Sequence, residues 1–168
     1  DLEDDPELQR ITQFAKTLCD TPMALVSLVE EDRQWFAART GIEARETPRS
    51  VSFCAHAMLR DDIYQIYDAS TDPRFADNAL VTGEPHIRFY AGAPLVSDEG
   101  VPLGSLCVID TKPRHDGLTE FQHDGLTVLA TAVMRRLTSR RQDVAAADDR
   151  LRMRQQMNEV SDLIPDLA

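Results

Sequence analysis

Cys54 and His56 stand two positions apart in the stretch FCAHAM, residues 53–58. A thiol beside an imidazole is what a nucleophile with its base, or two ligands of one metal, would use. Whether the two can cooperate depends on the element that carries them. On a strand they share a face; on a helix they point about 200° apart. The stretch FCAHAMLR holds good helix formers and no β-branched run, and Ser52 is a fitting N-cap, so a helix from Phe53 is predicted. Cys54 then shares a face with Ala57 and Met58, and His56 with Phe53 and Arg60. From such a helix the two cannot chelate one metal, nor pair directly as nucleophile and base.

The other chemistry-bearing residues are dispersed. Of three cysteines, Cys19, Cys54 and Cys107, no two form a CxxC, and the count is odd. A disulfide framework is not expected, and a reducing cytoplasmic setting is. Cys54 and Cys107 can pack as small hydrophobes, line a pocket or do redox work. A reactive thiol needs cationic or helix-terminal surroundings, and Cys54 near a helix start has one such ingredient. His56 either bonds a loop carbonyl or faces a pocket; His86 is a solvated loop residue or a ligand contact. Asp68, Asp72, Arg74 and Phe75 lie in DASTDPRFAD. Turn formation explains Asp72-Pro73; the sharper alternative is that Asp68 and Arg74 orient a polar ligand. Arg88 and Tyr90 alternate with Gly92 on one strand face. If that face looks into a pocket, Arg88 favours an anion; if outward, it is solvated. Trp35 and Phe36 read as hairpin packing, and MRRLTSRRQ as a solvated helix face.

These residues need elements to position them. Residues 6–19 place Leu8, Ile11, Phe14, Ala15 and Leu18 at helical spacing, with Pro6 in the first turn. Residues 23–40 read as a hairpin turning at Glu31-Asp32, and 41–51 as a loop. IYQIYDAS, 63–70, alternates like a strand. Residues 71–86 form a long connection, a length usually tied to function. Two strands follow, 87–97 and 101–111, joined by Asp98-Glu99-Gly100. Thr119 and Gln122 make a capping box, and Phe121, Leu126, Leu129, Val133 and Leu137 form one stripe. Helical pattern then runs to Pro165, roughly 65–70 Å at ~1.5 Å per residue. Such a helix must leave the globule or break. Val133, Leu137, Arg140, Val144, Ala147 and Leu151 recur by four and three; the stripe then moves to Met153, Met157, Val160 and Ile164. Pairing with a second copy as a parallel coiled coil is the expected remedy. The sum is an α+β module with an antiparallel sheet of about five strands.

A net charge of −11 argues against nucleic acid, which needs clustered cations. No apolar run reaches the ~20 residues that span a bilayer. The chain opens on Asp1, which reads as a fragment of a longer polypeptide.

SFCAHAM, YDASTDPRFADNALVTGEPHIRFYAGAPL and PLGSLCVIDTKPR together resemble the GAF domains that precede bacterial histidine kinase and diguanylate cyclase modules. The likeness spans about residues 6–137. It implies a GAF/PAS-like central antiparallel sheet flanked by helices, a ligand pocket on one side, and a long C-terminal signalling helix. It implies a sensory domain over 1–137, a coiled-coil helix over 138–168 leading to an output domain, and homodimerisation through the first and last helices. The fragment is then non-catalytic. Cys54, His56, Asp68, Arg74, Phe75, His86, Arg88, Tyr90 and Cys107 are the candidate ligand contacts; the likeness leaves ligand and cofactor open, and no metal is expected. EPHIRFYAG lacks the cysteine of bilin-binding relatives, and the asparagine–lysine–phenylalanine–aspartate signature of cyclic-nucleotide binders is absent. A branch that reduces free methionine sulfoxide with pocket cysteines keeps a thiol-dependent reductase as the alternative.

Overall fold

A computed structural model describes residues 4–163. The first helix, α1 (Pro6–Cys19), begins where the Asp5 carboxylate accepts from the Leu8 amide at 3.1 Å, and Pro6 occupies the first turn. Its buried stripe is Leu8, Thr12, Ala15 and Cys19. That stripe is rotated from the one expected, and Phe14 is 58% exposed. Thr12 can be buried because its hydroxyl donates to the Leu8 carbonyl at 2.7 Å.

The predicted hairpin is β1 (Met23–Val29) with β2 (Arg33–Thr40). The stretch 41–51, expected as plain loop, contains a short edge strand, β3 (Glu46–Pro48), and a 3₁₀ turn, Arg49–Val51. Its pairing is Arg33↔Pro48, Gln34↔Thr47 and Trp35↔Glu46. Three residues with a proline at the end carry no alternation to read, and Pro48 is tolerated because the edge position asks for no further ladder bond.

The helix expected over FCAHAMLR is a single turn, α2 (Cys54–Ala57). Ser52 still caps it, accepting from the Ala55 amide at 3.0 Å. The strand expected over 63–70 is shorter, β4 (Tyr64–Ile66), and the long connection holds α3 (Ala79–Thr82), capped by Asn78. Then come β5 (Phe89–Val96) and β6 (Pro102–Asp110), whose turn puts Gly100 at φ +83°.

The six strands form one sheet in the order β3-β2-β1-β6-β5-β4, with every neighbouring pair antiparallel. Alternation then assigns the two faces. Ala24, Val26, Phe89, Ala91, Ala93, Leu95, Leu106 and Val108 are buried on the face covered by α1 and the last helix. Met23, Leu25, Phe36, Tyr64, Ile66, Tyr90, Cys107 and Ile109 are buried on the other, together with Phe53, Cys54, Ala57, Phe75, Val81 and Ile87 from the irregular layer.

Helix α4 (Glu120–Leu163) is continuous and opens with the predicted capping box: the Thr119 amide donates to Gln122 Oε1 at 3.0 Å and the Gln122 amide to Thr119 Oγ1 at 3.1 Å. Leu126, Ala130, Val133 and Leu137 are buried, whereas Phe121 is 77% exposed. The chain divides into two compact units, residues 1–134 and 135–168. In the second, every residue from 141 to 160 is exposed, Val144, Leu151, Met153, Met157 and Val160 among them. Ile164 and Pro165, the expected ends of the stripe and the helix, lie outside the described residues. No helix is long and apolar enough to cross a membrane among the described residues.

Candidate functional site

The sheet face opposite α1 carries a buried polar network. At its centre are two thiols from distant segments. Cys54 leads α2, and Cys107 sits on β6 between Leu25 and Gly92 of the flanking strands. Their sulfur atoms are 3.7 Å apart, and both side chains are buried and unlinked.

Tyr90 completes the centre. Its hydroxyl donates to Cys54 Sγ at 3.0 Å and meets Ser105 Oγ at 3.0 Å. The ring reaches there by lying along its own strand across Gly92, where a Cβ would come within 2.4 Å of the tyrosine oxygen. Glycine at 92 is therefore what lets a fully buried tyrosine deliver a hydroxyl to the thiols.

Beside this centre the Gln34 side chain ties the layer to the sheet. Its Oε1 accepts from Ser27 Oγ at 3.0 Å and from Ser52 Oγ at 2.7 Å, and its Nε2 donates to Thr47 Oγ1 at 2.5 Å. The start of α2 is thus fixed to β2 by side chains, which a four-residue helix requires because its own ladder is too short to hold it.

Burial pushes the Cys54 thiol up, but the donors converging on its sulfur from Cys107, Ser105, Tyr90 and Ser27 outweigh it and leave the group below its ordinary range. Cys107 is pushed well above its range by burial and by Cys54. Cys54 is the more acidic of the two. Burial also holds Tyr90 well above its usual range, so it stays a donor.

A cavity of about 30 Å³ abuts this centre. Leu25, Phe36, Ile109 and Tyr90 line it from the sheet, Phe53 and Cys54 from the α2 segment, and Leu80, Pro85 and Ile87 from the long connection. It has room for about one or two waters, far below the ~300 Å³ of a usual metabolite site. A larger groove of about 440 Å³ lies between β5 and α4, with Arg60, Asp61, Asp62 and Met134 on its walls. It is open to solvent and gathers no converging buried donors.

Of the nine candidate contacts, Cys54, Tyr90 and Cys107 come together. Phe75 is buried nearby, stacked on Phe53 at 4.4 Å between ring centres. The other five have local partners. His56 is exposed, edge-on to Phe75 at 5.1 Å, and its imidazole is held below its ordinary range by partial burial and by Arg74 and Arg60. Asp68 accepts from the amide and hydroxyl of Ser70. Arg74 forms a two-point pair with Asp72 at 3.0 and 2.6 Å. Exposed His86 stands 3.5 Å from Glu84. Arg88 donates to the carbonyls of Val81 and Ile87 at 3.0 and 2.9 Å, clamping α3 to the start of β5. No cluster of three or more His, Cys, Asp and Glu placed for a metal occurs among the described residues.

Ser27, Gln34, Ser52 and Ser105 belong to the site and escaped the sequence reading as site residues. The signal was present: each of the two strand serines interrupts an apolar run at the parity of its inward-facing neighbours, and Ser27 pairs with Ser105.

A six-stranded antiparallel sheet with helices on one face and a partly irregular, thiol-bearing layer on the other defines an α+β domain of the GAF/PAS-like class. The GAF domain family model matches residues 5–137, and the chain belongs to that family of sensory, regulatory domains. It is 52% identical over 110 residues to a cyclic di-GMP phosphodiesterase of Pseudomonas aeruginosa; the match covers 66% of this chain and 19% of that protein's length. Among solved structures, the type II free methionine-R-sulfoxide reductase of Thermoplasma acidophilum superposes with a TM-score of 0.63 at 18% identity, covering 80% of this chain and 93% of that one. The GAF domain of a phosphoenolpyruvate-protein phosphotransferase from Coxiella burnetii does so with 0.64 at 15% identity, covering 86% and 90%. At such identities the two structures speak for the fold alone.

Proposed function

We propose that this chain is the small-molecule-sensing module of a longer bacterial signalling protein, working in the cytoplasm as a homodimer and governing an output that turns over cyclic di-GMP. The observation that carries the reading is the 52% identity to a cyclic di-GMP phosphodiesterase of which the matched part is only 19%. In this reading residues 1–137 sense and 138–168 relay. The exposed apolar residues Val144 and Leu151, on a helix with four-and-three spacing, support a coiled coil with a second copy. The sensing site is the cavity beneath the 71–88 connection. A ligand the size of a metabolite must displace that cover, and the cost of doing so is how ligand state becomes a change in packing.

The experiment uses the full-length protein and scores cyclic di-GMP turnover with Val144→Asp and Leu151→Asp together. Loss of the dimer by light scattering with altered turnover is the expected result. A native monomer, or turnover indifferent to the substitutions, overturns the reading.

The paired thiols favour a second reading, thiol-dependent reduction of a small oxidised metabolite such as free methionine sulfoxide. Such a substrate, like a sensed ligand, would have to displace the cover of the cavity. Turnover of methionine sulfoxide, abolished in Cys54→Ser, would establish it.

A further inference from the structure

We infer that Cys54 and Cys107 are a peroxide-oxidisable dithiol, with Cys54 the attacked thiol, Cys107 the resolving one, and the small cavity the entry for hydrogen peroxide. Three observations carry this, none of which depends on the sensory reading. The two sulfur atoms lie 3.7 Å apart with no group between them. A disulfide needs about 2.0 Å, so the two sulfur atoms must close by less than ~2 Å. Next, the cavity touches Cys54 and not Cys107, so an entering molecule meets one sulfur only. Finally, Ile42, Leu80 and Pro85 at the cavity wall are half-buried and reach the surface. Its volume of about 30 Å³ suits one hydrogen peroxide and excludes bulkier oxidants.

Buried thiols are ordinarily inert. This one differs in its neighbours. The Tyr90 hydroxyl points at Cys54 Sγ and leans on Ser105, a donor arrangement that stabilises sulfur as it loses its proton. In the first step Cys54 sulfur attacks one peroxide oxygen: the O–O bond breaks, an S–O bond forms, and the leaving hydroxide takes the thiol proton as water. Cys54 is then a sulfenic acid, oxidised by the two electrons that reduce the peroxide. In the second step Cys107 sulfur attacks Cys54 sulfur; the S–O bond breaks, the S–S bond forms, and the hydroxyl leaves with the Cys107 proton as a second water.

The disulfide would pull the first residue of α2 toward β6. Just ahead of α2 the Val51 carbonyl accepts from Asn78 Nδ2 at 3.3 Å, so a shift of α2 reaches the cap of α3 and the layer covering the cavity.

The test uses the 168-residue chain, reduced, freed of reductant and treated with hydrogen peroxide. Peptide mapping under non-reducing conditions should show a Cys54–Cys107 linkage, reversed by dithiothreitol, with Cys19 still free. Thiols that all stay reduced, or linkages dominated by Cys19, overturn the proposal. In Cys107→Ala, dimedone should label Cys54; label on Cys19 alone, or none, overturns the assignment of the attacked thiol. Cys107→Ser replaces that variant if alanine does not fold, and the wild-type map needs no variant. tert-Butyl hydroperoxide should oxidise the pair at least about tenfold more slowly than hydrogen peroxide, as size-selective access demands; equal rates overturn the entry route. Cyclic di-GMP turnover plays no part in these readouts, so their failure leaves the sensory reading standing, and the reverse holds too.

Discussion

The two faces of the one sheet are built on different principles. Under α1 and α4 the large buried side chains are Val26, Phe89, Leu95, Leu106, Val108, Leu126 and Val133, joined by Thr12 and Cys19 of α1, beneath two regular helices. Under the α2–α3 layer, apolar residues share the interior with Ser27, Gln34, Ser52, Ser105 and two thiols, all bonded, and the cover is two single-turn helices held by side-chain caps. The first face gains stability from area. The second spends some on polar groups that must each find a partner.

The largest difference should appear on removing a purely apolar anchor. Leu106→Ala leaves a void beneath the helices at a fully buried position and should cost about 3 kcal/mol in urea unfolding. Leu80→Ala, at a half-buried position on the cover, should cost about 1 kcal/mol or less, since that site can collapse or rewet. Equal costs would mean that the cover is as firmly integrated as the helical layer.

The helical face also holds a titration. Cys19 is pushed up to about 11 from 9.0, mainly by burial and against the pull of Arg114, which donates to the Cys19 carbonyl at 2.6 Å. The folded group keeps its proton more tightly than the unfolded one. Its contribution is therefore whole below pH 9 and is lost as pH rises toward 11, about 2 kcal/mol across the window. Urea titrations at pH 8 and 10.5 should show that loss in the wild type and less of it in Cys19→Ala. An identical loss in both would assign it to other groups.

On the polar face the sharpest strain test is Gly92→Ala. The new methyl meets the Tyr90 oxygen at 2.4 Å, so the ring must move and the fold should lose ~1–3 kcal/mol. Tyr90→Ala in the same chain should make the glycine substitution less costly than it is alone, a coupling that a double-mutant cycle reads directly. Tyr90→Phe, which keeps the ring and deletes only the hydroxyl bonded to Cys54 and Ser105, should cost about 1 kcal/mol.

How far the sequence speaks also divides along these faces. Helix α1, the β1–β2 and β5–β6 hairpins and the α4 capping box were legible because periodicity, turn residues and caps agree there. The stripe of α1 was misplaced because Phe14 outranks Thr12 in hydrophobicity, and no pattern shows that Thr12 answers its own hydroxyl with the Leu8 carbonyl. β3 was missed for want of length. On the second face, Cys54, Tyr90 and Cys107 were named as separate candidates. Their meeting depends on strand order and on a helix one turn long, neither of which is encoded in local spacing. Ser27, Gln34 and Ser105 looked like tolerated polar residues until the register placed two of them opposite each other.

The smallest effect belongs to the rim of that second face, and it separates two roles within one contact. Asp72 accepts from the Arg74 amide at 2.9 Å and also holds the Arg74 guanidinium, which in turn lies over the Tyr64 and Phe75 rings at 5.4 and 5.6 Å. The bond from Arg74 keeps the Asp72 carboxyl below its ordinary range, and about half of the arginine side chain is in solvent. Arg74→Ala removes a screened ion pair and should cost ~0.5 kcal/mol, shrinking further at high salt. Asp72→Ala removes the same pair and also strips the acceptor from the turn; it should cost about 1 kcal/mol, of which only the ion-pair part shrinks with salt. If the arginine variant proves the more damaging of the two, the rings beneath it rather than the turn set the geometry of this rim, and the cover is held from its surface inward.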